Sequence, residues 1–415
     1  MLSYRSLSVL SFMGASLAAQ AQRPATVLPK NIYRVRLVGI VAAPLMQTLN
    51  SQGEGQSLMA DMERTLTTKD IAAKDPNLNA LYAGLNQLEE GLGDSLMSVD
   101  LMPKAHMSAR QTVLAVEYGL TSRLSLGIIV PTVQMRVTSS FDARVNTQTA
   151  KLAARAAGAP PLEAGLQQFA SNTPTAQTFA QSLFTANGYQ VPRDFSYAGL
   201  GDIEIGAKYQ YLKSEALRGT LLAGFRAPTT SHRADRSNIL DRDTGDGQWD
   251  LALEASNEWD ALKTLTFGVA SRYTLQLPDS REQALLKDGQ IGLPNLNDST
   301  SIHRVRRDLG DMIDGELSAR VNIGSAWHTS GVWGVAYKLE NRYSGPQGYQ
   351  VSKLGANTES AESRLELGVG YSTIPDFAAK KFPVPMEVKL AYNTITAGMN
   401  TPRSAYSRMD FIVYF

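Results

Sequence analysis

The chain has 415 residues, with 40 basic and 39 acidic side chains, four histidines and no cysteine. The near-zero charge removes the electrostatic case for a nucleic-acid partner, and the missing cysteines exclude disulfides, iron–sulfur clusters and thiolate zinc sites. No run of eighteen or so apolar residues occurs, so a spanning helix is excluded but a membrane β-barrel is not.

At the start of the chain Arg5 precedes an apolar stretch from Leu7 to Ala19, and Ala19-Gln20-Ala21 offers a small-x-small cleavage site before Gln22. This layout predicts a secretory signal peptide over 1–21, too short to hold a helix across a bilayer, and an exported chain over 22–415. No cysteine follows the site, so no lipid anchor is expected.

Beyond it the chain repeats segments in which apolar and polar residues alternate, the mark of strands with one greasy and one polar face. Ile203, Ile205, Ala207, Tyr209 and Tyr211 alternate with Glu204, Lys208 and Gln210; Leu317, Ala319, Val321 and Ile323 alternate with Glu316, Ser318, Arg320 and Asn322. The same holds for Leu365, Leu367, Val369 and Tyr371, and for Met386, Val388, Leu390 and Tyr392. The predicted strands are 31–41, 110–120, 124–137, 200–212, 219–228, 248–259, 263–277, 312–324, 331–342, 362–373, 384–396 and 405–415. Connections alternate between long loops and tight turns, the latter at 121–123, near Ser214, at 260–262, near Trp327 and at 374–383. An all-β, antiparallel transmembrane barrel of about twelve strands follows, with fourteen allowed if a long loop hides a hairpin, in a bacterial outer membrane. Trp249, Trp259, Trp333, Tyr371 and Tyr392 are expected at the membrane borders, where aromatic side chains form girdles.

The last strand places Met409, Phe411, Val413 and Phe415 on one face and ends on the aromatic Phe415. This ending resembles the signal read by barrel-assembly machinery, so that machinery is the expected partner during assembly, beside the lipid bilayer itself.

Two stretches carry a family likeness. One is Leu114-Ala115-Val116-Glu117-Tyr118-Gly119-Leu120-Thr121-Ser122-Arg123-Leu124-Ser125-Leu126-Gly127; the other is Gly199-Leu200-Gly201-Asp202-Ile203-Glu204-Ile205-Gly206-Ala207-Lys208-Tyr209. Both resemble outer-membrane β-barrels grouped under the meta-pathway of phenol degradation, relatives of the long-chain fatty-acid transporters, and the likeness covers roughly 110–415. It implies a channel or transporter for hydrophobic or aromatic compounds, here a passive route for small apolar solutes. The long loops 42–109 and 138–199 depart from the family pattern.

With the polar faces turned inward, the lumen would be lined by Arg34, Arg36, Lys208, Arg226, Arg272, Arg320, Lys338, Arg364, Lys389 and Arg408. Facing them would stand Glu117, Glu204, Asp250, Glu254, Glu258, Asp314, Glu316, Glu340, Glu366, Glu387 and Asp410. Such interleaved charges suit ion-pair networks that fill a modest barrel, whereas an ion-selective pore would carry a ring of one sign. The loops hold apolar residues at helical spacing: Leu58, Met59, Met62 and Leu66, then Leu78, Leu81, Leu85 and Leu88, and in the second loop Leu152, Leu162, Leu166, Phe169, Phe179 and Leu183. Helices here would fold over the extracellular mouth, with Leu81, Leu85, Phe169 and Phe179 lining an apolar entrance. Packing among themselves is the plainer alternative.

Two other readings compete with transport. His328-Thr329-Ser330-Gly331 offers a His-x-Ser pair of the kind found in outer-membrane lipid hydrolases, but it falls in a predicted turn with no Asp or Asn partner, and no enzyme is expected. A structural or adhesive barrel without transport is the second. Asp241-Arg242-Asp243-Thr244-Gly245-Asp246-Gly247 lacks the glycine and terminal glutamate of a calcium loop, so neither a metal nor any other cofactor is expected.

Overall fold

The computed structural model describes residues 23–72, 76–172, 176–290 and 292–415, with backbone alone at 172, 176, 177, 179 and 180; the signal peptide expected over 1–21 lies outside the described residues. Twelve strands form the barrel: β1 Tyr33–Ala42, β2 Met97–Gly119, β3 Leu124–Thr147, β4 Ile203–Lys213, β5 Leu217–Ala227 and β6 Asp250–Leu262 make one half. The other half is β7 Leu265–Gln276, β8 Met312–Ile323, β9 Trp327–Lys338, β10 Ser360–Ser372, β11 Met386–Met399 and β12 Ala405–Tyr414. Each strand pairs antiparallel with its sequence neighbour, and β1 also pairs with β12 in the register Leu37↔Phe411 and Val38↔Asp410. That seam removes the last free edge, the condition for a sheet to sit in hydrocarbon. Phe415 completes it, donating its amide to Tyr33 O and accepting the Tyr33 amide on its own carbonyl, at 2.9 and 3.0 Å.

The period-two pattern sorts side chains as the alternation predicts. Leu317, Leu367, Leu390, Ile205 and Phe411 are exposed on the outer surface, while their charged neighbours Glu316, Glu366, Lys389 and Asp410 are buried inside. An outer surface of Leu, Val, Phe, Trp and Tyr around a charged interior inverts the soluble arrangement, and places the barrel in an outer membrane. Trp249, Trp259 and Tyr371 sit at strand ends. Trp333 and Tyr392 do not: Trp333 lies opposite Leu317 and Leu365, and Tyr392 opposite Leu367, in the middle of the lipid face. Trp333 is tolerated there because its indole Nε1–H donates to Ser363 Oγ at 3.0 Å.

Two strands run far past the predicted bounds. β2 starts at Met97 rather than 110, and β3 continues to Thr147 rather than 137. The extension buries Val99, Leu101, Ala105 and Met107 against Val137 and Phe141. Pro103, a residue usually excluded from paired strands, and the mixed polarity around it hide the period in the sequence. Short strands Arg64–Thr67 and Phe195–Leu200 flank this projecting hairpin, so fourteen strands share the sheet but only twelve close the barrel. β9 is displaced in the other direction, starting at Trp327 rather than 331, which leaves Glu340 exposed beyond its end instead of in the lumen.

Helices occupy both long loops. They are α1 Thr68–Ala72, α2 Pro76–Leu88, α3 Thr149–Arg155, α4 Pro160–Asn172 and α5 Ala176–Thr185; a sixth, α6 Ile374–Ala378, fills the longest turn of the opposite end. The spacing of Leu58, Met59, Met62 and Leu66 is not helical. Met59 precedes a single 3-10 turn, and Leu66 belongs to a short strand, though all four are buried. Apolar side chains from α2, α3, α4 and the projecting hairpin form one core, which continues downward into Val38, Ile40, Val113 and Val133 of the barrel wall. The cap is therefore packed into the extracellular mouth.

Candidate functional site: the barrel interior

The inward row of β1 changes character along its length. Arg34 and Arg36 point inward near the periplasmic end, while Val38, Ile40 and Ala42 are buried near the extracellular end. With Val113, Val133 and Met135 these make one wall of the upper interior apolar, whereas β4 to β12 present charges.

Those charges are joined in two chains of ion pairs. In the first, Arg36 reaches Asp410 at 3.1 Å, Arg408 lies 3.4 Å from the same carboxylate and holds Glu366 with two nitrogens at 2.8 Å, and Lys389 meets Glu366 at 3.2 Å. In the second, Arg226 pairs with Asp250 at 3.0 Å and approaches Glu204 at 3.7 Å; Arg272 holds Glu204 at 2.7 Å and Glu254 at 3.8 Å; Arg364 holds Glu316 at 3.0 Å and Glu362 at 3.3 Å. Arg34 and Glu117 form a close pair near the periplasmic rim. Buried charges persist only when paired in this way. Lys208 and Arg320 have no carboxylate within ion-pair distance among the described residues; Arg320 Nε instead donates to Asn322 Oδ1 at 3.1 Å. Glu387 accepts the Tyr414 hydroxyl at 3.2 Å, and Lys338 stands apart at the extracellular end of β9, beside Asn341.

A feature the sequence reading missed lies inside the barrel. Residues 23–30, preceding β1, turn back into the periplasmic half of the interior. Ala25 and Leu28 are buried, Gln210 Nε2 donates to Ala25 O at 3.3 Å, and the Leu28 amide donates to Ser125 Oγ at 2.9 Å. Gly119 allows the approach, since a Cβ there would collide with the Pro29 carbonyl. At the tip of this strap Arg23 Nε lies 3.5 Å from Glu254 and 3.9 Å from Glu316, linking β6 to β8 across the interior. Neither Pro24 nor Pro29 has a periodic context; the available signal was an arginine followed by proline just after the expected cleavage site.

Besides a cavity of about 650 Å³ at the periplasmic mouth, beside Arg218, Asp260 and Asn322, two cavities lie deeper among the described residues. The lower one, about 360 Å³, is bounded by the strap and by Arg34, Lys208, Arg272, Arg320 and Lys389; the upper one, about 330 Å³, lies among Tyr189, Arg242, Leu293, Met312 and Lys338. They share no lining residue, and by strand position Arg226, Asp250, Glu316 and Arg364 lie between them.

His328 and Ser330 lie within β9, not in a turn, with both side chains buried inside the barrel and the His328 ring seated over Gly370. His328 Nδ1 lies 3.5 Å from the Arg320 guanidinium, and Ser330 Oγ has no hydrogen-bond partner among the described residues. A cation where a hydrolase holds a carboxylate cannot orient the imidazole as a base.

The acidic loop is likewise occupied. Asp241 accepts from His232 Nε2 at 2.8 Å and from the Asp235 amide at 2.9 Å, Asp243 accepts from Arg281 and the Ala234 amide, and Asp246 accepts from Gln248 and Gln276. Burial opposes ionisation of Asp243, yet Arg281, the Ala234 amide and Arg233 together hold its carboxyl below the usual range. Asp246 is pushed up, mainly by burial and then by Asp202 against the opposing pull of Arg226. The loop ties extracellular segments together.

Of the expected entrance residues, Leu81 and Leu85 are buried between α2 and α4, and Phe169 packs half-buried at the edge of the same core. Phe179 lies on α5, and its side chain is outside the described residues.

No family model and no curated protein matches the sequence. Among solved structures, the COG4313 outer membrane channel from Pseudomonas putida F1 is similar over 95% of this chain and 100% of its own, with TM-score 0.52 and 12% identity. The chain shares that channel's fold. The toluene transporter TbuX of Ralstonia pickettii (TM-score 0.34, 9% identity, 95% and 91% covered) is a more distant likeness. So is the translocator domain of the autotransporter NalP from Neisseria meningitidis (0.37, 8%, 99% and 97%). The barrel expected from the two strand motifs is the barrel found.

Proposed function

We propose that the chain is a passive outer-membrane channel for small hydrophobic or aromatic molecules. The observation that carries this reading is the two-sided interior: one wall is apolar from the cap core down to Val38 and Val113, and the other is closed by paired charges. Bulk polar solutes need a continuous wide lumen, which barrels reach at sixteen or so strands; this barrel has twelve, and the Arg226–Asp250 and Arg364–Glu316 pairs stand between its lower and upper cavities. An apolar solute loses little by leaving water for the greasy wall, whereas an ion must compete with pairs already formed.

In this reading the charged residues from Arg34 to Asp410 keep water and ions out, and Lys208 and Arg320 in the lower cavity are placed to meet a polar end of the solute, as is Lys338 in the upper one. Solute enters at the seam of the cap, where Phe169 is half-exposed; Leu81 and Leu85 meet it when α2 lifts from α4. The terminal Phe415, in line with outward-facing Met409 and Phe411, is the residue assembly machinery would read before the barrel closes.

Planar-bilayer recording tests the reading. The expected result is a small conductance for the full chain and a several-fold larger one after removal of residues 76–88. A large, cap-independent conductance would overturn it.

A further inference from the structure

Strands β2 and β3 leave the hydrocarbon without ending, and their outward rows change abruptly where they do. On β2 the outward residues run Leu114, Thr112, Arg110, Ser108, His106, Lys104, all but the half-buried Ser108 being exposed. On β3 they run Ile128, Val130, Thr132, Gln134, Arg136, Thr138, Ser140. The register pairs Leu114 with Val130, Thr112 with Thr132, Arg110 with Gln134, Ser108 with Arg136 and Lys104 with Ser140. The apolar rows therefore stop together at the threonine pair. Arg110 follows two residues later, about 7 Å further out at the rise of a strand, which is the depth of the headgroup layer.

Lys104, Arg110 and Arg136 have no carboxylate within ion-pair distance among the described residues, and serine and threonine hydroxyls stand beside them. Across the barrel, the extracellular ends of β7 to β9 carry Tyr273, Asp311, Tyr337 and Leu339 outward instead. The cations are confined to one sector, above lipid-facing Leu37 and Leu114, with exposed Val41 of β1 beside Arg110 in the register.

We propose that this sector binds a phosphate-bearing lipid of the outer leaflet, its acyl chains on the apolar rows and its headgroup phosphates on Arg110, Arg136 and Lys104. Charge complementarity and continuity with the lipid face select this occupant over a soluble partner: a ligand here already stands beside the barrel at bilayer concentration, and each cation near an anionic surface contributes about 1 kcal/mol. Guanidinium groups take two phosphate oxygens at once, which suits Arg at the two inner positions.

The test is native mass spectrometry of the full chain in detergent, with bis-phosphorylated lipid A and with phosphatidylcholine as probes. The expected result is retained lipid A adducts that fall at least five-fold in a Lys104→Gln, Arg110→Gln, Arg136→Gln triple variant, with phosphatidylcholine adducts unchanged. Arg304→Gln, in the loop sheet above β7 to β9, should leave lipid A binding at the wild-type level. Heat-modifiable migration shows that each variant keeps its barrel. Equal lipid A adducts in the wild type and the triple variant would overturn the assignment, as would equal retention of the two lipids by the wild type. Displacement of lipid A by equimolar inorganic phosphate would mark a free-ion site and overturn it too.

Discussion

Arg23 Nε lies 3.5 Å from Glu254, so a residue before the first strand is paired with the middle of β6 inside the barrel. Its second approach, 3.9 Å to Glu316 on β8, makes it a crosspiece between two walls. Three further hydrogen-bonded or steric contacts hold the strap behind it, but Arg23 is the charged end. Replacing Arg23 by Ala should loosen the tip and raise ion conductance several-fold in planar bilayers. An unchanged conductance would mean that Ala25 and Leu28 anchor the strap alone.

The pair chain through Glu366 makes a stability prediction. Glu366 is fully buried and serves both Arg408 and Lys389. Glu366→Ala leaves two buried cations with one fewer partner, a loss of about 3–5 kcal/mol. The band that resists heating in detergent should unfold at a distinctly lower temperature, while Ser407→Ala, on the outer row of β12, should change little.

The lipid face gives a depth test. Leu367 lies mid-strand with 60% of its surface exposed. Leu367→Arg should destabilise folding into liposomes by about 2–4 kcal/mol, the cost of a cation at the bilayer midplane. A cost near zero, read from denaturant titration of tryptophan fluorescence, would place this strand outside the hydrocarbon.

Acid should loosen the extracellular loops before the barrel. Asp243 and Asp279 are held below the usual carboxyl range despite partial burial, chiefly by Arg281 and Arg307 respectively. A depressed folded value gives stability that is present above the unfolded value of about 3.9 and is lost as pH falls through the folded one. Protease nicking of loops 228–249 and 277–311 should therefore be slow at neutral pH and rise steeply below about pH 4. Asp243→Asn should nick readily at neutral pH as well.

All twelve strands, their order and their inward and outward faces were legible because lipid outside and charge inside impose a strict period of two on Ile203 to Tyr211 or Leu317 to Ile323. Where another constraint broke that period, the reading failed. Pro103 concealed the upper half of β2, and the greasy run Leu58 to Leu66 suggested a helix because burial without regular structure leaves no period to distinguish it. Trp333 was placed at a border because its hydrogen bond to Ser363 is a tertiary fact. The strap was invisible for the same reason: its role depends on Gly119, Ser125 and Gln210, far away in the chain, and on space inside a barrel that local pattern cannot measure.

Uptake by cells tests the central proposal most directly. The full chain would be expressed in a strain lacking its own hydrocarbon channels, and initial uptake of a labelled monoaromatic hydrocarbon compared with that of a neutral disaccharide. The proposed channel should speed aromatic uptake several-fold and leave disaccharide uptake at the empty-vector rate. Faster disaccharide uptake with no gain for the aromatic would contradict it.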